Sequence, residues 1–435
     1  MIKKIKNKIK PELINTGLIF GVSTFIKLMS GLIIAKLIVL SIGLEGFGII
    51  SQLQSVMNIL MVFAGGGIAN GIVKYVAEHK NSDKIKLNSI LQTSTLITIV
   101  FGCIIGILLL VFSQSISEYL FKTKEYSNVF IILGILQFFI GFNTMFQSIL
   151  NGYIEIKNNA LSSVLGSITG LIIVYFLSKG KNISSIMISQ ILFGFFTSFF
   201  CILFLYKKPY FNLSSLKPKF DKTNSKLLLK YSLMLIVTIS TIPIAQIMIR
   251  NIIGEKYGWD AVGKWQGVMK ISDAYLQFIT IVLTNYFFPK LAGLKNKESI
   301  KNEIISTLKI IIPITIFISF IIFGLRKYII LVLYDETFIE ISDFFTFQLI
   351  GDVFKISAYT LIFISIARGL MFVYIIAEIF QALCLIFLSN YFMQSYGLIG
   401  VTYGYALTYL IYLIFSIVIL YLFLKTNVLE KTQQL

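Results

Sequence analysis

The stretch WDAVGKWQGVMKISDAYLQFIT, residues 259–280, has the length of a membrane span and yet carries charge along one side. Steps of three and four put Gln266, Lys270, Asp273, Gln277, Thr280 and Thr284 on one helical face, while Val268, Ile271, Leu276, Ile279 and Leu283 fall largely elsewhere. A Lys or Asp at the bilayer centre costs roughly 2.5–3.5 kcal/mol on the insertion scale. A polar stripe of this kind therefore implies a wet or protein-lined neighbour, of which a transport path is the natural case. The plainer alternative is that Lys270 and Asp273, three residues apart, neutralise one another as a packing pair.

The rest of the chain supports a membrane setting. Of its 435 residues 57% are hydrophobic and only 13% are charged, and the mean hydropathy is +0.86; a soluble globular domain does not have this composition. Apolar segments of about 20 residues recur from end to end, whereas barrel strands would be about ten residues with alternation. The predicted fold class is therefore an all-α integral membrane protein. Spans are expected at 13–40, 47–77, 88–112, 127–153, 160–178, 184–206, 227–253, 261–290, 304–323, 344–367, 370–392 and 398–424. They make about twelve transmembrane helices in two six-helix bundles, 1–206 and 227–435. The basic linker KKPYFNLSSLKPKFDKTNSK, 207–226, separates them.

A net charge of +18 would suggest nucleic acid in a soluble protein, but here the excess lies in short loops and at the N-terminus, where topology explains it. No nucleic-acid partner is expected. Lysines crowd the N-terminal tail MIKKIKNKIK, the 78–87 loop, the linker and the 291–303 loop, so both termini are expected in the cytoplasm. The tail reads as retained, because the apolar run behind it is long and lacks a small-residue cleavage site. The segment 324–344 is expected to lie at the outer interface. Cys103, Cys201 and Cys384 are too dispersed for a disulfide framework, and His79 is the only histidine, so no metal site and no cofactor are expected.

The two halves carry a weak repeat. At an offset of 215, Gly43, Glu45 and Gly48 align with Gly258, Asp260 and Gly263, and Ser51, Ser55 and Asn58 align with Gln266, Lys270 and Asp273. Gly152 and Gly180 match Gly369 and Gly397 at an offset of 217, which would relate the halves by an axis along the membrane normal.

Further charges fall inside apolar spans: Lys27, Lys36, Lys74, Arg250, Asp352, Lys355 and Glu378. Most have hydrogen-bonding neighbours one helical turn away, as in Ser23–Lys27–Ser30, Gln246–Arg250, Gln348–Asp352–Lys355–Tyr359 and Tyr374–Glu378–Gln381. Lys36, Lys74 and Arg250 are close enough to helix ends to snorkel, and Lys264 and Arg368 read as interfacial. The cations outnumber the acids, so a cavity shared by them would favour an anion. Lysine and arginine suit a phosphate group, and amides and aromatic rings suit a sugar. The glycines of AGGGIANG, 64–71, lack the strand and helix of a phosphate loop and read as packing residues or a hinge. With no nucleotide motif in the chain, energy must come from a gradient or the membrane potential.

Several blocks give the chain a family resemblance: STFIKLMSGLIIAKL at 23–37, AGGGIANGIVKYVAE at 64–78, IMIRNIIGEKYGWDAVGKWQGVMKISDAYLQFIT at 247–280, FQLIGDVFK at 347–355 and YIIAEIFQ at 374–381. They resemble the Wzx-type flippases of the MOP exporter superfamily, most closely the branch serving the enterobacterial common antigen. The resemblance implies a V-shaped MOP/MATE-like transporter working by alternating access in a bacterial inner membrane. Its cargo would be an undecaprenyl-pyrophosphate-linked oligosaccharide, of lipid III or O-antigen type, with other polysaccharide-assembly proteins as candidate partners. It implies no enzyme activity. Lys27, Lys36, Lys74, Arg250, Gln266, Lys270, Gln277 and Lys355 are the candidate substrate-binding residues. Asp273, Asp352 and Glu378 are the candidates for coupling to a proton or sodium ion. A MATE-like antiporter for small molecules or ions remains an alternative, although a basic cavity would repel cationic drugs. A membrane glycan polymerase or ligase would be expected to carry arginine and histidine chemistry on long outer loops, which this chain lacks.

Overall fold

The computed structural model describes residues 11–208, 210–230 and 232–425, so the basic N-terminal tail lies outside the described residues. Among these the chain is helical, without a strand. Its helices are α1 (Pro11–Ala64), α2 (Ala69–His79), α3 (Lys84–Val111), α4 (Ser113–Phe121), α5 (Ser127–Gly152), α6 (Ile156–Ser178), α7 (Ile183–Tyr206) and α8 (Lys222–Leu229). They continue with α9 (Ser232–Tyr257), α10 (Trp259–Val282), α11 (Phe288–Gly293), α12 (Lys297–Leu333), α13 (Phe345–Ala367), α14 (Met371–Tyr396) and α15 (Gly400–Lys425).

Nine stretches of the described residues are long and apolar enough to cross a membrane. Two of them, Gly21–Ala64 and Met371–Lys425, hold two spans each, broken at Gly43 and Gly397, which makes eleven. Helix α10 is the twelfth; its charges keep it from qualifying on composition. The expected twelve-span all-α membrane fold is the one observed.

Contacts divide the chain into two compact units. One comprises the chain up to Ile42 with Gln52–Ser240; the other comprises Gly43–Ser51 with the chain from Thr241 onward. In the first unit α6 packs on α7, and α5 lies against both α3 and α7. Its core joins Ile72 and Val76 of α2 to Leu91 of α3, Ile149 of α5 and Leu205 of α7. Leu228 of α8 is fully buried in the same cluster, so the linker is packed rather than loose. Polar contacts hold it as well. Glu155, in the turn after α5, accepts from Lys208 at 2.7 Å, Tyr210 at 3.1 Å and Asn158 at 2.6 Å, and Tyr210 stacks on Tyr153 at 3.8 Å. Asp221 caps α8, and Asn224 donates to Ser89 of α3 at 2.8 Å. The turn that presents Glu155 places Ile154 at φ 65, a conformation a β-branched residue rarely adopts.

In the second unit α15 packs along both α13 and α14, and α12 lies against α13. Leu283, Phe287, Leu291, Ile304 and Ile364 are central to its core. The segment after residue 324 is helical throughout most of its length. Residues up to Leu333 extend α12, and the 3-10 turn Glu336–Phe344 buries Phe338 and Ile341 completely. Hydrophobic anchoring ties this part of the segment to the protein.

The repeat-matched glycines build one device. Gly43 (φ 67) and Gly258 (φ 82) both break a pair of helices in a backbone region that disfavours other residues. Just beyond them Gly48 and Gly263 pack together: a Cβ at Gly48 would lie 2.8 Å from the Trp259 carbonyl oxygen, and one at Gly263 would lie 2.1 Å from that of Leu44. Backbone meets backbone, so neither side can yield. Gly263→Val should destabilise the protein by about 3 kcal/mol, at the upper end of ordinary overpacking. The check is a lower thermal midpoint in detergent and reduced folded yield, with Gly293→Val, at a position with open space around it, as the control.

Burial pushes the Glu155 carboxyl up, but the hydrogen bonds from Lys208, Tyr210 and Asn158 and the Lys208 charge together leave it below its ordinary value. A depressed folded-state value means that the clamp contributes fully above the ordinary carboxylate range and is lost as pH falls through the lowered value. Glu155→Gln should therefore weaken linker docking at neutral pH by about 1 kcal/mol, a figure already reduced for partial exposure. Hydrogen exchange of residues 213–229 should speed up in the variant, and should do so in the parent only under acid conditions.

Candidate functional site

Helix α10 begins after the Gly258 turn with Asp260 in its first turn, where an acid suits the helix dipole. Trp265, Val268, Met269, Ile271, Leu276 and Ile279 turn into the second unit. Gln266 and Lys270 lie at the edge of that buried face, and Asp273 and Gln277 are exposed. An exposed carboxylate in mid-span demands water or an ionic partner. Asp273 has one: its carboxylate lies 3.8 Å from the Lys355 ammonium of α13. The plainer alternative, a local pair with Lys270, thus meets a partner from another helix. Lys355 also sits over the rings of Tyr405 and Tyr409, 5.8 and 5.4 Å from their centroids, within cation–π range.

One turn before Lys355, Asp352 is completely buried. It accepts three hydroxyl hydrogen bonds, from Ser272 at 2.6 Å, Tyr275 at 2.8 Å and Tyr405 at 2.7 Å. Tyr275 also meets the Ser319 hydroxyl of α12 at 3.2 Å. Three helices thus meet at one carboxylate, and a fourth joins them through Tyr275. The neighbouring Gly351 makes this possible, because a Cβ there would lie 2.5 Å from the Tyr405 ring. A second cluster follows along α13, α14 and α15. Gln381 donates to Tyr409 at 3.0 Å and to Tyr359 at 3.3 Å, and Tyr412 donates to the buried Glu378 at 3.4 Å. Arg250 of α9 is 3% exposed, donates to Gln266 at 2.9 Å and stands 5.7 Å over the Trp265 ring.

The second unit therefore brings together most of the sequence candidates: Arg250, Gln266, Lys270, Asp273, Asp352, Lys355 and Glu378 sit in one polar and aromatic seam, with Gln277 one turn beyond Asp273 on α10. Lys27, Lys36 and Lys74 belong to the first unit. Lys27 and Lys74 are exposed, and Lys36 is half-buried. Within the second unit three basic groups face three acidic ones, so the cationic excess noted in the sequence comes from the first. Of the interfacial pair, Lys264 forms an ion pair with Glu340, and Arg368 donates to the carbonyl of Leu294 beyond the end of α11. Sequence reasoning missed Ser272, Tyr275, Tyr405, Tyr409 and Tyr412. The last three recur at steps of four and three on α15, and that hydroxyl stripe was the available signal.

Comparison with known proteins bears on this arrangement. A family described as polysaccharide biosynthesis protein matches residues 33–343. The chain belongs to this family. A curated relative, the lipid III flippase of Escherichia coli (strain K12), is 32% identical over 390 residues, which is 90% of this chain and 94% of that protein. Solved structures share the fold. An inward-facing MATE family multidrug transporter of the MOP superfamily superposes with a TM-score of 0.76 at 17% identity, over 94% of this chain and 96% of the other. The lipid II flippase MurJ in an inward closed conformation gives 0.71 at 18% identity, over 93% and 86%. The resemblance drawn from the charge-bearing blocks thus extends over 90% of the chain.

Removing the carboxylate takes the acceptor from the Ser272 and Tyr405 hydroxyls and leaves Tyr275 with Ser319 alone. Asp352→Ala should cost about 3 kcal/mol or more, and Tyr405→Phe only about 1 kcal/mol, since it deletes a donor and leaves two others in place. Thermal melts of the purified protein in detergent would show the two effects in that order.

Proposed function

We propose that the protein is a flippase that moves a polyprenyl-pyrophosphate-linked oligosaccharide from the cytoplasmic to the periplasmic leaflet of a bacterial inner membrane. On this reading both termini are cytoplasmic. The observation that carries it is the 32% identity to a lipid III flippase over 90% of the chain. It is a transporter, not an enzyme. The seam in the second unit gives this reading chemical content. Arg250, Lys270 and Lys355, with Gln266 and Gln277 beside them, offer charge-assisted hydrogen bonds suited to a pyrophosphate. Lys27, Lys36 and Lys74, in the first unit, are the other proposed substrate-binding residues.

Asp273, Asp352 and Glu378 are the proposed coupling groups, for a proton or a sodium ion. Asp273 is accessible and ion-paired, and a phosphate arriving at Lys355 would compete with it, so binding of cargo would free a carboxylate to take up a cation. The membrane potential also acts directly. A cargo of two negative charges moving outward across an inside-negative membrane gains about 4.6 kcal/mol per 100 mV if no counter-ion moves with it.

The direct assay is transbilayer movement of a short glycan on polyprenyl pyrophosphate in proteoliposomes, with and without an imposed ion gradient or potential. Arg250→Ala and Lys270→Ala should each slow movement about tenfold or more, the effect of losing one charge-assisted contact, with protein abundance near normal. Asp273→Asn should change the dependence on the imposed gradient. Absence of movement with folded protein would redirect attention to small-molecule antiport.

A further inference from the structure

The first unit holds polar groups of a different kind. Across its spans, Gly21 to Ile42, Gln52 to Ala64, α3, α5, α6 and α7, there is no aspartate or glutamate. In their place stand carboxamides. Gln54 of α1 donates to Gln190 of α7 at 3.2 Å. Gln147 donates to Asn143 at 3.1 Å on α5, and Asn159 of α6 donates to Asn151 of α5 at 2.6 Å. Asn143, Gln147 and Asn151 follow one another at steps of four, so they form a continuous ladder down one face of α5.

Two observations indicate that this ladder does more than join helices. Asn58, one turn beyond Gln54 on the same face of α1, is exposed in mid-span, where a carboxamide facing lipid would be costly and a polar neighbour is favoured. The Asn159 carbonyl oxygen is buried and accepts no hydrogen bond among the described residues. A primary amide offers two N–H donors and two lone pairs, and a single pairing contact occupies a fraction of them. Paired amides hold one another in fixed orientation while presenting both a donor and an acceptor, the complement of a neutral polyhydroxylated ring.

We propose that three amide pairs of the first unit, Gln54–Gln190, Asn143–Gln147 and Asn151–Asn159, are successive saccharide contacts, which together recognise the uncharged sugars of the cargo. This rests on the reading of the protein as a transporter of a lipid-linked glycan and assigns the part of that cargo which the amides take. The contacts discriminate by hydroxyl pattern, since a site built to hydrogen-bond hydroxyls rejects ligands that leave its polar groups unpaired.

The test uses the full chain and two variants, Gln147→Met and Gln54→Met, which keep side-chain length and remove the amide. In proteoliposomes the probes are polyprenyl pyrophosphate carrying one N-acetylhexosamine and the same carrier with a neutral trisaccharide. Each variant should move the trisaccharide compound about tenfold more slowly and the monosaccharide compound within about twofold of the parent rate. An equal loss for both probes would show that the amides hold the helices together, and unchanged rates for both would also overturn the proposal. Binding of the free, water-soluble trisaccharide to the detergent-solubilised protein, read by saturation-transfer NMR, is independent of transport. Binding by the parent that is lost in Gln147→Met supports the proposal even if neither lipid probe moves. No binding by the parent sinks it even if both do.

Discussion

A polar group placed in hydrocarbon must be answered by the protein itself, and in this molecule the sharpest instance is the buried carboxylate of Asp352. Its three hydroxyl donors come from α10 and α15, and a fourth hydroxyl on α12 extends the set. Those contacts fix how the helices of the second unit approach one another. They also explain why Gly351 is small, why Tyr405 lies flat against it, and why α10 carries Ser272 and Tyr275 on the side facing α13 and α12. Hydrophobic packing holds the unit together, but apolar side chains are interchangeable in lipid, and directional polar contacts select one arrangement among many.

Much of this was legible in the sequence, for a physical reason. Water and lipid differ so strongly as solvents that spans and their breaks are written in composition, and the charged stripe on α10 stands out against it. The ends of helices at Gly43 and Gly258 could likewise be read, because few other residues tolerate that backbone. What could not be read was partnership. Asp273 has Lys270 one turn away and pairs instead with Lys355, because the face of α10 that carries Asp273 looks toward α13. Tyrosine was the other blind spot. Its ring counts as apolar in any hydropathy reading, so Tyr405, Tyr409 and Tyr412 looked like lipid-facing or core residues until their hydroxyls were seen to serve Asp352, Gln381 and Glu378. The linker's partners were equally unreadable, and only the fold brings Glu155 and Ser89 to meet it.

The two units answer the same solvent problem in opposite ways. The second gathers charges of both signs, and three acidic groups offset its three basic ones. An incoming anion has to exchange for an internal one, which keeps affinity moderate and makes release possible. The first unit relies mainly on neutral amides, paired with one another between and along its helices.

The glycine contact near the start of the chain has a consequence for biosynthesis. Residues 43–51 belong to the second unit, yet the backbone they pack against, around Gly263, is made some 215 residues later. At about 5–20 residues per second, the ribosome leaves that strut without its counterpart for about 10 to 40 seconds while the intervening helices insert. The N-terminal half cannot settle as a finished domain and then be joined by a second one. Its first hairpin has to wait in the bilayer for α10, so the protein is completed from the middle of its sequence back to its beginning, and a chain cut at the linker would release two pieces of which the later one lacks part of its own wall.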